Sequence, residues 1–256
     1  MVGVLVIFEN SFIYFPSSYP HGDWGAPQRE GVTVEDVELQ TQDGIGIHAW
    51  YFPNEEAEVT ILFFHGNAGN LSDRFHWMTK LAEIPANILI VDYRGYGKSE
   101  GRPSEAGIYL DAEAAWDWLT GEKKMPAEKI VIYGNSLGGG AASELALRKP
   151  EARALILMST FTSVGDMAAK MFPILPVKGL VRTRFANVEK VSEIKVPKLI
   201  IHGALDDLVP FSMGVMLHEM ASEPKTWLEL KKAGHNDITS LYGNRIVDEI
   251  RTFLRL

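Results

Sequence analysis

The sequence predicts an α/β fold in which a mostly parallel central sheet is flanked by helices on both faces. From about residue 35 onward, short apolar runs alternate with longer helical stretches. Each run is bounded by Gly, Pro, Asp or Ser, which is typical of strands buried on both faces of a parallel sheet. The 256 residues contain no internal repeat or low-complexity tract, and their number suits one large α/β domain. We therefore expect a single domain over residues 1–256.

The predicted elements begin with a hairpin. It is formed by Val37–Leu39 and Ile45–Phe52 and turns at Asp43-Gly44. Further strands are predicted at Val59–Phe64, Ile88–Val91, Lys129–Tyr133, Ala154–Met158, Lys198–Ile201 and Trp227–Leu230. Helices are predicted at Leu71–Glu83, Glu105–Leu119, Leu137–Leu147, Phe211–Met220 and Ile246–Phe253.

The first 34 residues are interpreted as an N-terminal arm. Its opening segment, Met1–Phe8, is apolar but far shorter than the ~20 residues that a membrane span needs. It has no basic region and no clear cleavage site, so it is a poor signal peptide. We expect a first strand or a tucked-in arm in a cytoplasmic protein. The alternative is the remainder of a longer membrane anchor, and only such an anchor would attach the protein to a membrane.

The segment of residues 161–196 interrupts the alternation of strands and helices. It has helical pieces and several apolar residues but no obvious strand. Two interpretations stay open. The segment is either a short cap over the carboxyl edge of the sheet or an ordinary crossover helix followed by a proline-rich loop.

Composition excludes several classes of function. The net charge is −8, and the 25 basic residues form no cluster, so nucleic acid is not an expected partner. The chain has no cysteine, which excludes disulfides, thiolate metal sites and cysteine nucleophiles. No His-Glu-x-x-His motif or other metal-ligand spacing occurs, and we expect neither a metal nor a cofactor.

A serine nucleophile is predicted at Ser136. It lies in the pentapeptide Gly134-Asn135-Ser136-Leu137-Gly138, which fits a sharp turn that lifts the serine hydroxyl above the edge of a sheet. Glycines flank such a turn because side chains there would collide. The pentapeptide follows a predicted strand and precedes a predicted helix, and this context makes a chance match improbable.

A serine nucleophile needs a base and an acid that orients the base, and they follow the serine in the order acid, then histidine. His235 lies in a loop between a predicted strand and the last helix, whereas His218 lies within a predicted helix. We therefore predict that His235 is the base. Asp206 and Asp207 both follow the strand Lys198–Ile201, and the spacing favours Asp206. Asp166, after the preceding strand, is a more distant alternative.

Two backbone N–H groups are expected to stabilise the oxyanion of an acyl-transfer reaction. One belongs to Leu137, which follows the nucleophile, and the other to Asn67 in the glycine-containing loop after Val59–Phe64. Four apolar residues of the interrupting segment are expected to form an acyl pocket: Phe161, Met167, Met171 and Phe172. The pocket favours small-molecule esters with short to medium acyl chains.

The chain carries four motifs: His65-Gly66-Asn67-Ala68-Gly69-Asn70, Asp92-Tyr93-Arg94-Gly95-Tyr96-Gly97-Lys98-Ser99, Gly134-Asn135-Ser136-Leu137-Gly138, and His202-Gly203 with Asp206, Val209-Pro210 and Gly234-His235-Asn236-Asp237. Together they resemble the α/β-hydrolase superfamily, and within it the small bud-emergence-type serine hydrolases. The resemblance spans about residues 35–256 and implies an α/β-hydrolase fold. It supports Ser136, Asp206 and His235 as a catalytic triad and esterases, thioesterases or lipid-related hydrolases as the activity. An amidase or peptidase and a non-catalytic binding protein are the alternatives.

Overall fold

An eight-stranded sheet forms the centre of the computed structural model, which describes residues 9–174, 176 and 178–256. Its strands lie in the order β1-β2-β4-β3-β5-β6-β7-β8. The first two pairings are antiparallel and all the others are parallel, as predicted. The strands are β1 (Glu35–Gln40), β2 (Gly46–Phe52), β3 (Val59–Phe64), β4 (Ala86–Val91), β5 (Ile130–Asn135), β6 (Ala154–Met158), β7 (Lys198–Gly203) and β8 (Lys225–Leu230).

Helices cover both faces of this sheet. They are α1 (Glu9–Ile13), α2 (Ala26–Glu30), α3 (Phe75–Leu81), α4 (Glu105–Gly121), α5 (Gly138–Arg148), α6 (Val164–Met171), α7 (Asn187–Lys190), α8 (Phe211–Met220) and α9 (Ile238–Leu254). Buried side chains of α4, α5 and α8 form one apolar core, and those of α3 and α9 form the other. β3 separates the two cores, because Leu62 faces the first and Phe63 the second. This division explains why central strands such as β3 and β4 are buried along their whole length.

The parallel strands bring distant parts of the chain to one edge of the sheet. β3, β5 and β7 are parallel members of the same sheet, and their carboxyl ends lead into the loop at His65, the turn at Ser136 and the loop at Asp206. Ligands of α/β proteins bind at this edge. The fold therefore places the loops that carry the predicted site residues side by side.

Two helices differ from the prediction. The predicted helix Leu71–Glu83 is a 3₁₀ turn at Leu71–Arg74 followed by α3. The Leu71 N–H donates to Asp92 Oδ1 at 2.7 Å, and the Ser72 N–H donates to Asn70 Oδ1 at 3.0 Å. These two bonds, one to a distant residue and one to a neighbour, hold the first turn in a tighter, capped conformation.

The last helix is longer than predicted. α9 begins at Ile238 rather than at Ile246, and it contains a kink at Tyr242, where φ is −128°. The Tyr242 hydroxyl accepts a hydrogen bond from the Lys232 N–H at 3.2 Å. Gly243 follows the kink, and glycine weakens a helical sequence pattern, so the first turns were not recognised as helix.

The N-terminal arm reaches the carboxyl edge of the sheet. Pro16 and Ser18 form isolated bridges with Gly69 and Gly97. The predicted strand or tucked-in segment Met1–Phe8 lies outside the described residues. Among the residues that the structure describes, no helix is long and apolar enough to cross a membrane. The segment of residues 161–196 contains α6 and α7, and its Leu175 and Val177 also lie outside the described residues.

Candidate active site

Ser136 lies at a tight turn between β5 and α5. Its φ is +52°, a left-handed conformation that is uncommon for a residue with a side chain. A Cβ at Gly134 would lie 2.6 Å from Gly138 O, and one at Gly138 would lie 2.0 Å from Phe64 O. Both flanking positions therefore require glycine, for the reason that the sequence pattern predicted. The Ser136 N–H donates to Met158 O at 2.9 Å and fixes the turn to β6.

Ser136, His235 and Asp206 form a continuous chain of contacts. His235 Nε2 lies 3.1 Å from Ser136 Oγ, and His235 Nδ1 lies 2.8 Å from Asp206 Oδ2. The histidine is on the loop between β8 and α9, where the Gly234 N–H donates to Asp237 Oδ1 at 2.7 Å. In this arrangement a histidine can accept a proton from a hydroxyl while a carboxylate holds the far side of its ring.

The Asp206 carboxylate is held on both of its oxygens. Oδ1 accepts hydrogen bonds from the Leu208 N–H at 3.1 Å and the Val209 N–H at 2.7 Å, which leaves Oδ2 for His235. Asp206 is buried, whereas its neighbour Asp207 is exposed. The geometry thus brings Asp206, and not Asp207, to the histidine.

The other candidates from the sequence lie elsewhere. Asp166 is in the first turn of α6, where it accepts hydrogen bonds from Thr162 and Ser163 and pairs with Lys178. His218 is on α8, and its ring packs against Trp227 with the ring centroids 5.6 Å apart.

A second histidine lies against Asp206, and no role beyond its place in a motif was predicted for it from the sequence. The buried His202, at the end of β7, donates from Nε2 to Val209 O at 3.0 Å, and this nitrogen lies 3.5 Å from Asp206 Oδ2. Burial lowers the pKa of His202, so its ring stays neutral. The signals in the sequence were the motif His202-Gly203 and its position directly before the loop of residues 204–210 that carries Asp206 (the acid loop).

The two predicted oxyanion donors are the backbone N–H groups of Asn67 and Leu137. Within the described part of the chain, neither the Asn67 N–H nor the Leu137 N–H donates a hydrogen bond to another residue. Leu137 precedes α5, so its N–H lies at the positive end of a helix dipole. The loop that carries Asn67 is held at its start, because the Tyr93 hydroxyl donates a hydrogen bond to His65 O at 2.7 Å.

An apolar cavity of about 260 Å³ opens beside Ser136. Asn67 and Leu137 line it together with the four residues predicted for the acyl pocket: Phe161, Met167, Met171 and Phe172. The segment of residues 161–196 therefore supplies one wall of the cavity. Lys170 of α6 fastens this wall to the acid loop, because its Nζ donates to the main-chain carbonyls of Asp207 and Leu208.

Other parts of the lining were missed from the sequence. Phe12, Ile13 and Phe15 of the N-terminal arm form a further wall, and Leu208 and Val209 of the acid loop also contribute. Apart from Val209, which is part of the fourth motif, none of these residues belongs to a motif that predicts a site. Their contribution depends on long-range contacts that become visible only in the folded chain.

Comparisons with known proteins give consistent results. A family model described as the alpha/beta hydrolase fold matches residues 59–187. An uncharacterized protein of Mycobacterium tuberculosis is 37% identical over 250 residues, which cover 96% of this chain and 87% of that protein. Protein bem46 of Schizosaccharomyces pombe is 33% identical over 251 residues, with 92% and 83% covered. The solved structure of a Pyrococcus furiosus esterase has a TM-score of 0.77 at 22% identity, with 95% of this chain and 97% of that chain covered.

Proposed function

The chain belongs to the α/β-hydrolase family, and on that premise we propose that it is a serine-dependent carboxylic ester hydrolase. The family confirms the fold class and the resemblance to bud-emergence-type proteins that the motifs predicted. The observation that carries the proposal is the chain of contacts from Ser136 through His235 to Asp206, at 3.1 and 2.8 Å. We assign these residues the roles of nucleophile, general base and orienting acid.

In the first half of the proposed reaction, the enzyme is acylated. Ser136 Oγ attacks the ester carbonyl carbon while His235 Nε2 removes the hydroxyl proton. The carbonyl oxygen becomes an oxyanion that accepts hydrogen bonds from the Asn67 and Leu137 N–H groups, each worth about 3–4 kcal/mol in the transition state. The tetrahedral intermediate then collapses. The bond between the acyl carbon and the leaving oxygen breaks, and His235 protonates that oxygen, so the leaving group departs as an alcohol.

In the second half, water releases the acyl group. His235 removes a proton from the water as its oxygen attacks the acyl carbonyl carbon, and the same N–H groups hold the second oxyanion. The bond to Ser136 Oγ breaks, His235 returns its proton to that oxygen, and a carboxylic acid leaves. Asp206 keeps the Nδ1–H tautomer of His235 in place throughout, because its carboxylate only accepts hydrogen bonds.

We propose short- to medium-chain acyl esters as the substrates. The apolar cavity of about 260 Å³ beside Ser136, with Phe161, Met167, Met171 and Phe172 in its lining, supports an acyl pocket of limited length. A comparison of kcat/KM for p-nitrophenyl butyrate and p-nitrophenyl dodecanoate tests this choice. We expect the butyrate to be the better substrate, and a preference for the dodecanoate contradicts the proposed chain length.

The activated serine itself is tested with a fluorophosphonate probe. The wild type and the Ser136→Ala variant are incubated with the probe, and their intact masses are compared. We expect a single covalent adduct on the wild type and none on the variant, because only an activated serine displaces the fluoride. If the wild type forms no adduct, or if the adduct persists on the variant, the proposed nucleophile is wrong.

A further inference from the structure

Residues 9–15 are the part of the N-terminal arm that forms one wall of the apolar cavity. Phe12, Ile13 and Phe15 line the cavity together with Ser136. Phe12 is 49% exposed and Phe15 is 54% exposed, although both are large apolar residues. Side chains this exposed contribute little to the core, so core packing does not explain why they lie beside the serine.

Asn67 holds this wall in place with its side chain. The Asn67 carboxamide donates from Nδ2 to Ile13 O and accepts at Oδ1 from the Phe15 N–H at 3.0 Å. The Tyr96 hydroxyl donates to the same Oδ1 at 3.0 Å and fixes the carboxamide from the other side. One residue therefore offers its backbone N–H to the oxyanion site and binds the arm on both sides of Tyr14.

The other end of the arm is bound to the segment of residues 161–196. The Glu9 carboxylate accepts hydrogen bonds from the Arg182 N–H at 3.0 Å and the Thr183 N–H at 2.6 Å. Burial alone raises the pKa of Glu9, but these hydrogen bonds outweigh it, and the pKa lies below its ordinary value. Glu9 therefore stays charged, and both of its carboxylate oxygens accept a hydrogen bond. Residues 9–15 thus connect the loop that carries Asn67 to the segment of residues 161–196.

We infer that the N-terminal arm determines the acyl-chain selectivity of this site and that Asn67 is its positioning residue. The ligand class is an unbranched saturated acyl chain of medium length. Its far carbons contact Phe12 and Phe15, whereas an acetyl group is too short to use this wall. The inference rests on the proposed ester hydrolysis, because it concerns the same acyl-enzyme.

The test is the ratio of kcat/KM for p-nitrophenyl octanoate to kcat/KM for p-nitrophenyl acetate. Phe12→Ala and Phe15→Ala each remove apolar contact, and we expect each to lower the ratio about three- to tenfold. Asn67→Ala keeps the backbone N–H but frees the arm, and we expect a fall of about tenfold or more. Phe12→Leu and Phe15→Leu retain part of the apolar contact, so we expect their ratios to lie between those of the alanine variants and that of the wild type.

The ratio separates selectivity from damage to the fold. A variant that is merely less folded loses activity on both esters equally, and its ratio does not change. Met216→Ala is the matched control, because Met216 is a large apolar residue of α8 that is 49% exposed and does not line the cavity. We expect its ratio to stay within about twofold of the wild type.

Failure of the inference and failure of the proposed function give different results. If the wild type hydrolyses both esters and the three alanine variants keep the wild-type ratio, the arm has no role in selectivity and the inference is overturned while the proposed function stands. If the wild type hydrolyses neither ester and binds no fluorophosphonate, the proposed function fails and the inference fails with it.

Discussion

At the scale of single residues, the two adjacent aspartates make the sharpest comparison. In the Asp206→Asn variant, the side-chain oxygen can still accept the Leu208 and Val209 N–H groups that Asp206 binds. Its NH₂ then faces His235 Nδ1 and favours the tautomer whose proton is on Nε2. That tautomer cannot accept the Ser136 proton, so we expect kcat to fall about 10³- to 10⁴-fold. Steady-state kinetics with p-nitrophenyl butyrate measures the loss.

Asp207→Asn is the control for this substitution. Asp207 is exposed and carries the same charge one residue away, so the variant changes the local charge equally without touching His235. We expect its kcat to remain within about twofold of the wild type. Equal losses in the two variants would show that charge near the loop, and not the contact with the ring, matters for the reaction.

His202 makes the stability of the fold depend on pH. Burial lowers its pKa below the ordinary value of 6.5. As the pH falls through 6.5, the unfolded chain therefore binds a proton that the folded chain does not, and the free energy of unfolding decreases. We expect the wild type to lose more stability than His202→Gln between pH 7 and about pH 5.5 in urea unfolding. Parallel pH profiles for the two proteins would contradict this assignment.

At the scale of elements, the turn between β5 and α5 was predictable because its constraint is local. A Cβ at position 134 or 138 would clash with atoms of the turn itself or of the adjoining β3. Both positions therefore have to be glycine, and this makes the turn visible in the pentapeptide. The strands were predictable for a similar reason, since burial on both faces leaves continuous apolar runs. The 3₁₀ turn before α3 was not predictable in this way. Its Leu71 N–H donates to Asp92, which is 21 residues away in the sequence.

The same turn supplies a prediction about glycine. In Gly138→Ala the new Cβ would lie 2.0 Å from Phe64 O, a backbone atom that cannot move without displacing β3. We expect loss of activity and destabilisation by about 2 kcal/mol or more, measured by urea unfolding and by p-nitrophenyl butyrate hydrolysis.

Gly121→Ala is the matched substitution in open space. Gly121 is in the last turn of α4, and among the described residues nothing beyond its chain neighbours and the nearby backbone of its own helix lies within 4 Å of the position that a Cβ would take there. Alanine favours helix more than glycine does, so we expect unchanged activity and a free energy of unfolding equal to or slightly above that of the wild type. If both alanine variants behave alike, steric exclusion is not the reason for the glycine at position 138.

At the scale of the whole molecule, the N-terminal arm is a part of the candidate site that could not be predicted from the sequence. The motifs identify loops on one edge of the sheet, because each loop carries its own signature. The wall formed by Phe12 and Phe15 depends instead on the Asn67 side chain and on Glu9, which binds residues more than 170 positions further along the chain. Contacts of such long range leave no periodic pattern, so the arm was predicted only as a segment and not as part of the site.

An ion network with a buried arginine and a buried aspartate also connects distant parts of the molecule. Arg94 follows β4, and its guanidinium binds Asp43 in the β1–β2 turn at 2.8 Å and Asp111 in α4 at 2.9 Å. Asp111 is fully buried, and burial raises its pKa to about 6 even though Arg94 is beside it. Arg94→Met leaves this carboxylate without its cation, and we expect a loss of about 3–5 kcal/mol in the free energy of unfolding near pH 8. Urea unfolding measures it.

The pH dependence of that loss identifies Asp111 as its cause. Without Arg94, the pKa of Asp111 in the folded state rises further above that of the unfolded chain, so the folded variant gains a proton as the pH falls, and its deficit shrinks between about pH 8 and about pH 6. The double variant Arg94→Met/Asp111→Leu removes the buried charge, and we expect it to recover most of the loss. Asp43→Asn alters only a partner that is 41% exposed, and we expect it to cost much less than Arg94→Met. A deficit that is constant with pH and persists in the double variant would mean that Arg94 acts through the packing of its side chain and not through its charge.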